Sequence, residues 1–450
     1  MVELGFITVE EEAANMSEKL AILGGKPAIE IKEPERWRRP VEEEKKLVCQ
    51  LLDEGFVSGS GTGLPKEFEE DIREYVGCNF CLTVDHGSTA LASAYYAVGV
   101  GPGDEVITPT AGYIGSYCGA LHLGARPVFC DIDPKTLLVD PEDVERKITK
   151  RTRAINIIHF HGNVCDMDAF LHIRDKYGIP IVEDAAHALG AEWDGKKIGT
   201  IGDIACFSLQ GSNPIGKPVA GGEGGFVTTN VRELYERQLI YCHLHRAGVT
   251  DELTNPAYKG LDSEVLGLKW RAHPLALALA KVSLNTLEYR IKRSNENREK
   301  IFEALREIPG LEPEGSHPKV RRVNLYGGLR IIYHPEALEG LPVERFVEAL
   351  KAEGVPVKSL GFPYLEHLRK IFREGFDLWG RDRGPLGGEF CGLPPFKPYK
   401  EGDFPVAEDV HRRVINIPSY INPAEGFLDQ LIGAFRKVVE NYKSLLSIVR

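Results

Sequence analysis

From about residue 75 to 230 the chain alternates short β-branched runs with segments whose apolar residues recur at helical spacing. This is the pattern of βαβ units and a mostly parallel sheet. Val106-Ile107, Pro127-Val128-Phe129, Ala154 to Ile158 and Ile179 to Val182 read as buried strands. Between the last two, Met167, Phe170, Leu171 and Ile173 mark one face of a helix over Asp166 to Tyr177, with Gly178 as its stop. Several strands end on polar residues: Thr108, Asp131, His159 and Glu183-Asp184. Ligands of open α/β sheets bind beyond the carboxyl ends of strands, so chemistry is expected there. At Pro274 the texture changes to a run free of further Pro or Gly, which predicts one long helix over 274–308 that bridges domains. Past Pro309-Gly310 the pattern is mixed and shorter-range, as in a smaller α+β domain, and Gly380 to Asp403 reads as a long surface loop. The expected organisation is an N-terminal arm over 1–35, a large domain over 36–285 and a small C-terminal domain over 286–450.

Composition narrows the class. The 450 residues are 43% hydrophobic and 27% charged, which suits an ordinary globular chain of two or three domains. Lys and Arg number 55 against 66 Asp and Glu, a net charge of −11 that argues against broad capture of nucleic acid or anionic membrane. No run of 18 apolar residues occurs, and the first twenty residues are acidic where a signal peptide would be basic, so neither a membrane span nor export is expected. The nine scattered cysteines fit reduced thiols in the cytoplasm. Cys78 and Cys81 form a CxxC without a second pair, and no metal site is expected. The 47 glycines point to tight turns or close approach of backbone to a ligand.

The most informative stretch runs from Phe207 to Gly225 and holds Lys217 between glycine-rich segments. Gly211 to Lys217 matches a phosphate-binding GxxxxGK loop, but Pro218 stands where that loop needs a hydroxyl, and Pro214 and Pro218 each remove a backbone donor. A solvated lysine in a glycine-rich loop is the plain alternative. The other is a lysine held for attack on a carbonyl, since lysine forms Schiff bases and desolvation exposes its neutral form. Upstream, Val182 to His187 place Asp184 at a strand's carboxyl end, followed by two small residues against which a flat ring could sit. A lysine for an aldehyde and an acid for a pyridinium nitrogen together are what pyridoxal 5'-phosphate needs. Gly87-Ser88-Thr89 opens a helix whose N-terminus is a natural phosphate site, although capping alone also explains Ser88 and Thr89.

The blocks LAILGGKP (20–27), HGSTAL (86–91), GPGDEVITPT (101–110), IHFHGNVCDMDA (158–169), VEDAAHALGA (182–191), GDIACFSLQ (202–210), GEGGFVTTN (222–230) and GLKWRAHPLALA (267–278) occur in order along nearly the whole chain. With these, the sequence resembles the DegT/DnrJ/EryC1/StrS family of sugar aminotransferases, and its first and last blocks are similar to the branch that aminates cyclitol ketones. The resemblance implies the type I aminotransferase fold: a mostly parallel seven-stranded sheet flanked by helices, with a smaller α+β C-terminal domain. It implies pyridoxal phosphate bound through Lys217, six residues before Glu223, with Asn213-Pro214-Ile215-Gly216 read as an insertion just ahead. Asp184 then pairs with the ring nitrogen, and His187 stands near the phenolic oxygen, or is merely packed. Tyr113 covers the ring face, or is a core aromatic. Gly87, Ser88, Thr89 and Ser208 hold the phosphate, and Lys269 reaches it from a neighbouring subunit, unless it is simply solvated.

The activity so implied is transfer of an amino group from glutamate or glutamine to a keto-sugar or keto-cyclitol by a homodimer with shared active sites. Lys217 moves the proton between the donor's α-carbon and the cofactor. Two other readings stand beside it. A sugar dehydratase of the same family typically carries His in place of the lysine, and a cofactor-binding regulator would lack turnover. The acceptor pocket is expected around Gly55 to Gly63, His243 and His245, and the loop near 390, while Arg321, Arg322 and Arg330 offer cations to a phosphate or carboxylate, unless they are simply solvated.

Overall fold

The computed structural model describes residues 19–449 apart from 56–57, 59–60, 212–216, 262–263, 265–266 and 325. The proposed insertion at 213–216, part of the Gly55 to Gly63 stretch and the first half of the N-terminal arm lie outside the described residues.

Seven strands form the central sheet: β1 (Phe80–Val84), β2 (Glu105–Pro109), β3 (Arg126–Cys130), β4 (Thr152–Ile158), β5 (Ile181–Asp184), β6 (Ile204–Ser208) and β7 (Gly225–Thr229). Their spatial order is β1-β7-β6-β5-β4-β2-β3, and only β7 runs against its neighbours. Side chains alternate across a strand, and here both faces are apolar. Val106, Ala154, Val182, Cys206 and Val227 join one buried cluster with helix α1 (Gly87–Ala97), while Ile107, Ile155, Ile181, Ala205 and Phe226 join another on the opposite face. The sheet is thus the middle layer of three. Helix α2 (Gly115–His122) packs on α1. Helix α3 (Met167–Tyr177) begins where the Asp166 carboxylate accepts from Ala169 N–H at 3.1 Å, and ends at Gly178, whose φ of 66° suits glycine.

The long bridging helix is two helices. Helix α4 (Pro274–Asn285) stops at Thr286, and α5 (Leu287–Arg306) restarts at once. At the break the Ser283 carbonyl is taken up locally: Thr286 N–H and Oγ1–H donate to it at 3.2 and 2.9 Å, and Arg290 Nη2 donates at 2.9 Å. The same Arg290 Nη2 reaches the Pro218 carbonyl at 2.8 Å, and Ser283 Oγ accepts from Ala220 N–H at 3.2 Å. The break therefore anchors the segment that follows Lys217.

A second, antiparallel sheet contains β8 (Leu311–Pro313), β9 (Leu329–Tyr333), β10 (Ser359–Leu360) and β11 (Val414–Ile417) in the order β8-β9-β11-β10. Leu329, Ile331 and Tyr333 pack with α5 and with helix α6 (Phe427–Glu440) in a core of their own. Residues 19–29 dock on this unit: Ala21 and Ala28 N–H donate to the Glu353 carboxylate at 2.7 and 2.9 Å.

The stretch read as a surface loop packs as a strap. Between 376 and 404 it forms no helix or named strand, yet Leu386 and Leu393 are buried. Arg126 of edge strand β3 donates to the Pro385 and Pro394 carbonyls at 2.7 Å each, and Phe129 N–H donates to Tyr399 Oη at 3.3 Å. The strap covers the exposed edge of the sheet. Among the described residues no helix is long and apolar enough to cross a membrane.

Candidate active site

The carboxyl end of β5 sets the floor of the site. Strand alternation sends Glu183 one way, to His159 Nε2 at 3.0 Å and Gly202 N–H at 2.6 Å, and Asp184 the other. Asp184 is 5% exposed, accepting from Ser116 Oγ–H at 2.6 Å and Ala186 N–H at 3.2 Å. Burial raises its pKa above the usual carboxylate range, while the Ser116 hydrogen bond and the Lys217 charge act against that rise.

Lys217 shares a cavity of about 700 Å3 with Asp184. Its Nζ lies over the Tyr326 ring, 4.6 Å from the centroid. Desolvation brings the amine down to about 8, and Asp184 counters part of that. The amine is therefore neutral in a useful fraction of molecules near neutrality, as an attacking or proton-accepting lysine requires.

His187 accepts from His161 N–H at its Nδ1, at 3.0 Å. Burial and the charges of Lys217 and Arg330 push its pKa well below 6.5, so the ring is neutral and its proton sits on Nε2. Its ring centroid is 4.3 Å from that of Tyr326.

On the same cavity, α1 presents its N-terminus at Gly87 and Ser88, beside Ser208 at the end of β6. A Cβ on Gly87 would come within 2.8 Å of Ser208 Cβ, so glycine is needed for helix and strand to meet so closely. Free N–H groups of a first helical turn with two hydroxyls form an anion cradle. Tyr113, 56% exposed, lines the cavity mouth. Thr89 is placed differently from Gly87 and Ser88. Its hydroxyl donates to Asp85 Oδ1 at 2.6 Å and accepts from His86 N–H at 3.1 Å, so it caps the helix and does not line the cavity. Lys269 is exposed, with its backbone bridged to His243, and lines no part of this chain's cavity.

The acceptor-pocket expectation is revised. His243 is buried off the cavity, and the segment near 390 belongs to the strap on β3. Arg321 and Arg322 pair with Asp194 and Glu288, and Arg330 is buried against Glu314. The cavity walls come instead from segments the sequence did not single out: Ser116, Tyr326, Lys358, Tyr364 and Asn416. His161 also lines it; it lies just beyond the carboxyl end of β4, within the IHFHGNVCDMDA block.

A buried carboxylate, a desolvated lysine and an anion cradle in one cavity are the donor set that pyridoxal phosphate requires, and the residues present fit it. The sequence profile of the DegT/DnrJ/EryC1/StrS aminotransferase family matches residues 39–379, and the chain belongs to that family. It is a pyridoxal-phosphate-dependent aminotransferase of the type I fold. L-glutamine:2-deoxy-scyllo-inosose aminotransferase of Streptomyces lividus is 30% identical over 436 residues, 95% of this chain and 99% of the relative. Spore coat polysaccharide biosynthesis protein SpsC of Bacillus subtilis is 30% identical over 403 residues, 89% of this chain and 95% of the relative. The crystal structure of 3-amino-5-hydroxybenzoic acid synthase superposes with a TM-score of 0.74 at 26% identity, over 91% of this chain and 99% of that one.

Proposed function

We propose that this enzyme moves an amino group from glutamine or glutamate to a keto-cyclitol or keto-sugar. The observation that carries the reading is the shared cavity of Lys217 and Asp184, in a chain similar along 95% of its length to an inosose aminotransferase. Bound pyridoxal phosphate supplies an aldehyde that amines add to and an electron-withdrawing ring that acidifies the adjoining C–H. The chain's residues do the rest. The Lys217 amine would take the proton from the donor's α-carbon and deliver it to the former aldehyde carbon of the cofactor, and would run that transfer in reverse in the acceptor half-reaction. The Asp184 carboxylate would pair with the ring nitrogen, with Ser116 holding the carboxylate in place. The N-terminus of α1, with Gly87, Ser88 and Ser208, receives the phosphate. The Nε2–H of neutral His187 would donate to the phenolic oxygen, and Tyr113 would cover the ring face. Thr89 supports this set by capping α1.

We place the working unit as a homodimer in which an exposed Lys269 reaches the partner's phosphate site. Tyr113, Ile114 and Tyr364 leave apolar surface exposed beside the cavity mouth, as a face covered by a second copy would. Nine unpaired cysteines suit a reducing, cytoplasmic compartment. The test is a panel of scyllo-inosose, 2-deoxy-scyllo-inosose, keto-sugar phosphates and nucleotide-linked keto-sugars, each with glutamine and glutamate, followed by cofactor absorbance and amine product. Transfer to one acceptor class is expected. Cofactor-loaded protein that aminates none of them with either donor overturns the reading.

A further inference from the structure

Resting on the transaminase reading, we propose that Lys358, beside the small sheet, and His161, from the large domain, form the subsite that receives the carboxylate of the amino donor.

The placement follows from strand register. In β9, Leu329, Ile331 and Tyr333 enter the small core, so Arg330 faces the other way, toward the large domain. Its partner across the ladder in β11 is Asn416, which lines the cavity. Lys358 N–H donates to the Asn416 carbonyl at 2.8 Å, which brings Lys358 onto the same wall. His161 comes from the large domain to meet it, just beyond β4.

Polar capacity on this wall is unspent. Both ring nitrogens of His161 are buried without a hydrogen-bond partner among the described residues, and its backbone is held at φ 56°. Gly327 leaves room for that ring, since a Cβ there would come within 2.7 Å of His161 Nδ1. The Lys358 amine has one long contact, to the Gly327 carbonyl at 3.4 Å, and no carboxylate within salt-bridge distance among the described residues. Arg330 gives Nε and Nη2 to Glu314 at 2.5 and 2.8 Å, and its Nη1 is unpartnered. Lys358 is exposed at the cavity, but the unmatched groups of His161 and Arg330 are buried, where leaving them unmatched is costly, so such a wall is built to meet acceptors.

The chemistry selects a carboxylate. Burial and the nearby charges of Arg330, Lys217 and Lys358 keep His161 neutral, with one N–H to give. One cation without a counter-ion and one neutral donor match a single negative charge with two acceptor oxygens. Every amino-acid donor brings that group to the reacting carbon, whereas a keto-cyclitol is uncharged. The cofactor phosphate has its own cradle at α1.

The test is calorimetric binding to cofactor-loaded protein of glutarate, which carries the carboxylates but no amine to react, with glutaramide and inorganic phosphate as separate arms. Glutarate is expected to bind the wild type, to lose at least about tenfold in affinity in Lys358→Met, and to recover in Lys358→Arg, while glutaramide binding stays unmoved. Retained cofactor absorbance shows that each variant is folded. Equal glutarate affinity in wild type and Lys358→Met overturns the proposal. So does absence of glutarate binding to the wild type, or Lys358-dependent binding of phosphate alone, which would assign the wall to a phosphorylated acceptor. If glutarate binding depends on Lys358 but no acceptor is aminated, the subsite stands and the transaminase reading fails.

Discussion

Ser116 donates its hydroxyl hydrogen to Asp184 Oδ2 at 2.6 Å, joining the first turn of α2 to the end of β5 across 68 residues of sequence. Ser116 is itself fixed, because its carbonyl accepts from Tyr95 Oη–H and, at 3.3 Å, from Asn156 Nδ2. Burial works against the charged form of Asp184, and this hydrogen bond is the leading force that restores it. Ser116→Ala is therefore expected to raise the carboxyl pKa further. The acid limb of the pH–rate profile moves to higher pH, and the rate near neutrality falls about tenfold, the order of one hydrogen bond to a charged group. An unchanged acid limb would remove Ser116 from this role.

Lys217→Ala should reduce amino transfer by about a thousandfold or more, within the range set by loss of a general acid–base group. Borohydride reduction of cofactor-loaded wild type should fix the label on the peptide carrying Lys217. Label on another lysine would reassign the site.

The Lys217 amine also carries a pH signature. Desolvation favours its neutral form, so the folded pKa, about 8, lies below the ordinary 10.5. In cofactor-free protein, labelling of Lys217 by an amine-selective reagent should climb to a plateau just above pH 8, while surface lysines continue to gain up to about pH 10. Linkage gives the matching sign: between pH 8 and 10.5 the unfolded chain binds more protons at this site, so its contribution to stability rises with pH across that window. Peptide mapping after timed labelling distinguishes the two profiles.

Arg290 holds the loop after Lys217 through the Pro218 carbonyl and sits over the Trp37 ring at 5.6 Å. Arg290→Leu removes the donor that Arg290 gives the Pro218 carbonyl, while Thr286 still serves the Ser283 carbonyl. It should cost about 2 kcal/mol of stability and accelerate cofactor loss on dialysis. A variant as stable as the wild type that also retains cofactor would sever the link between the helix break and the lysine.

Gly87→Ala tests the cradle. The new methyl meets Ser208 Cβ at 2.8 Å, so α1 must withdraw from β6. Weaker retention of pyridoxal phosphate is expected, by about tenfold or more, with far-UV circular dichroism unchanged. Full retention would place the phosphate elsewhere.

The strands and helices of the large domain were legible because their signals are local. Both-face burial leaves Ala154, Ile155, Ile157 and Ile158 of β4 and Ile181 and Val182 of β5 as apolar stretches, and Asp166 and Gly178 mark the ends of α3 in the chain itself. The long bridging helix misled because its break is made by contacts with Pro218 and by carbonyl sharing at Ser283, neither of which leaves a Pro or Gly in the sequence. The 376–404 strap looked like a loop because its partners are backbone carbonyls answered by an arginine more than 250 residues away.

The same division runs through the site. By itself the sequence determined the family, the α/β architecture and the candidates Lys217, Asp184, Gly87 and Ser88, because each sits in a run whose local pattern has a chemical reason, with His187 and Ser208 added by the family resemblance. Only the tertiary structure decided that Ser116 steadies Asp184, that Thr89 caps the helix it opens, and that His161, Tyr326, Lys358 and Asn416 share the cavity. Those residues meet because segments far apart in the chain come together around one cavity, and packing between distant segments is set by register and burial over the whole chain.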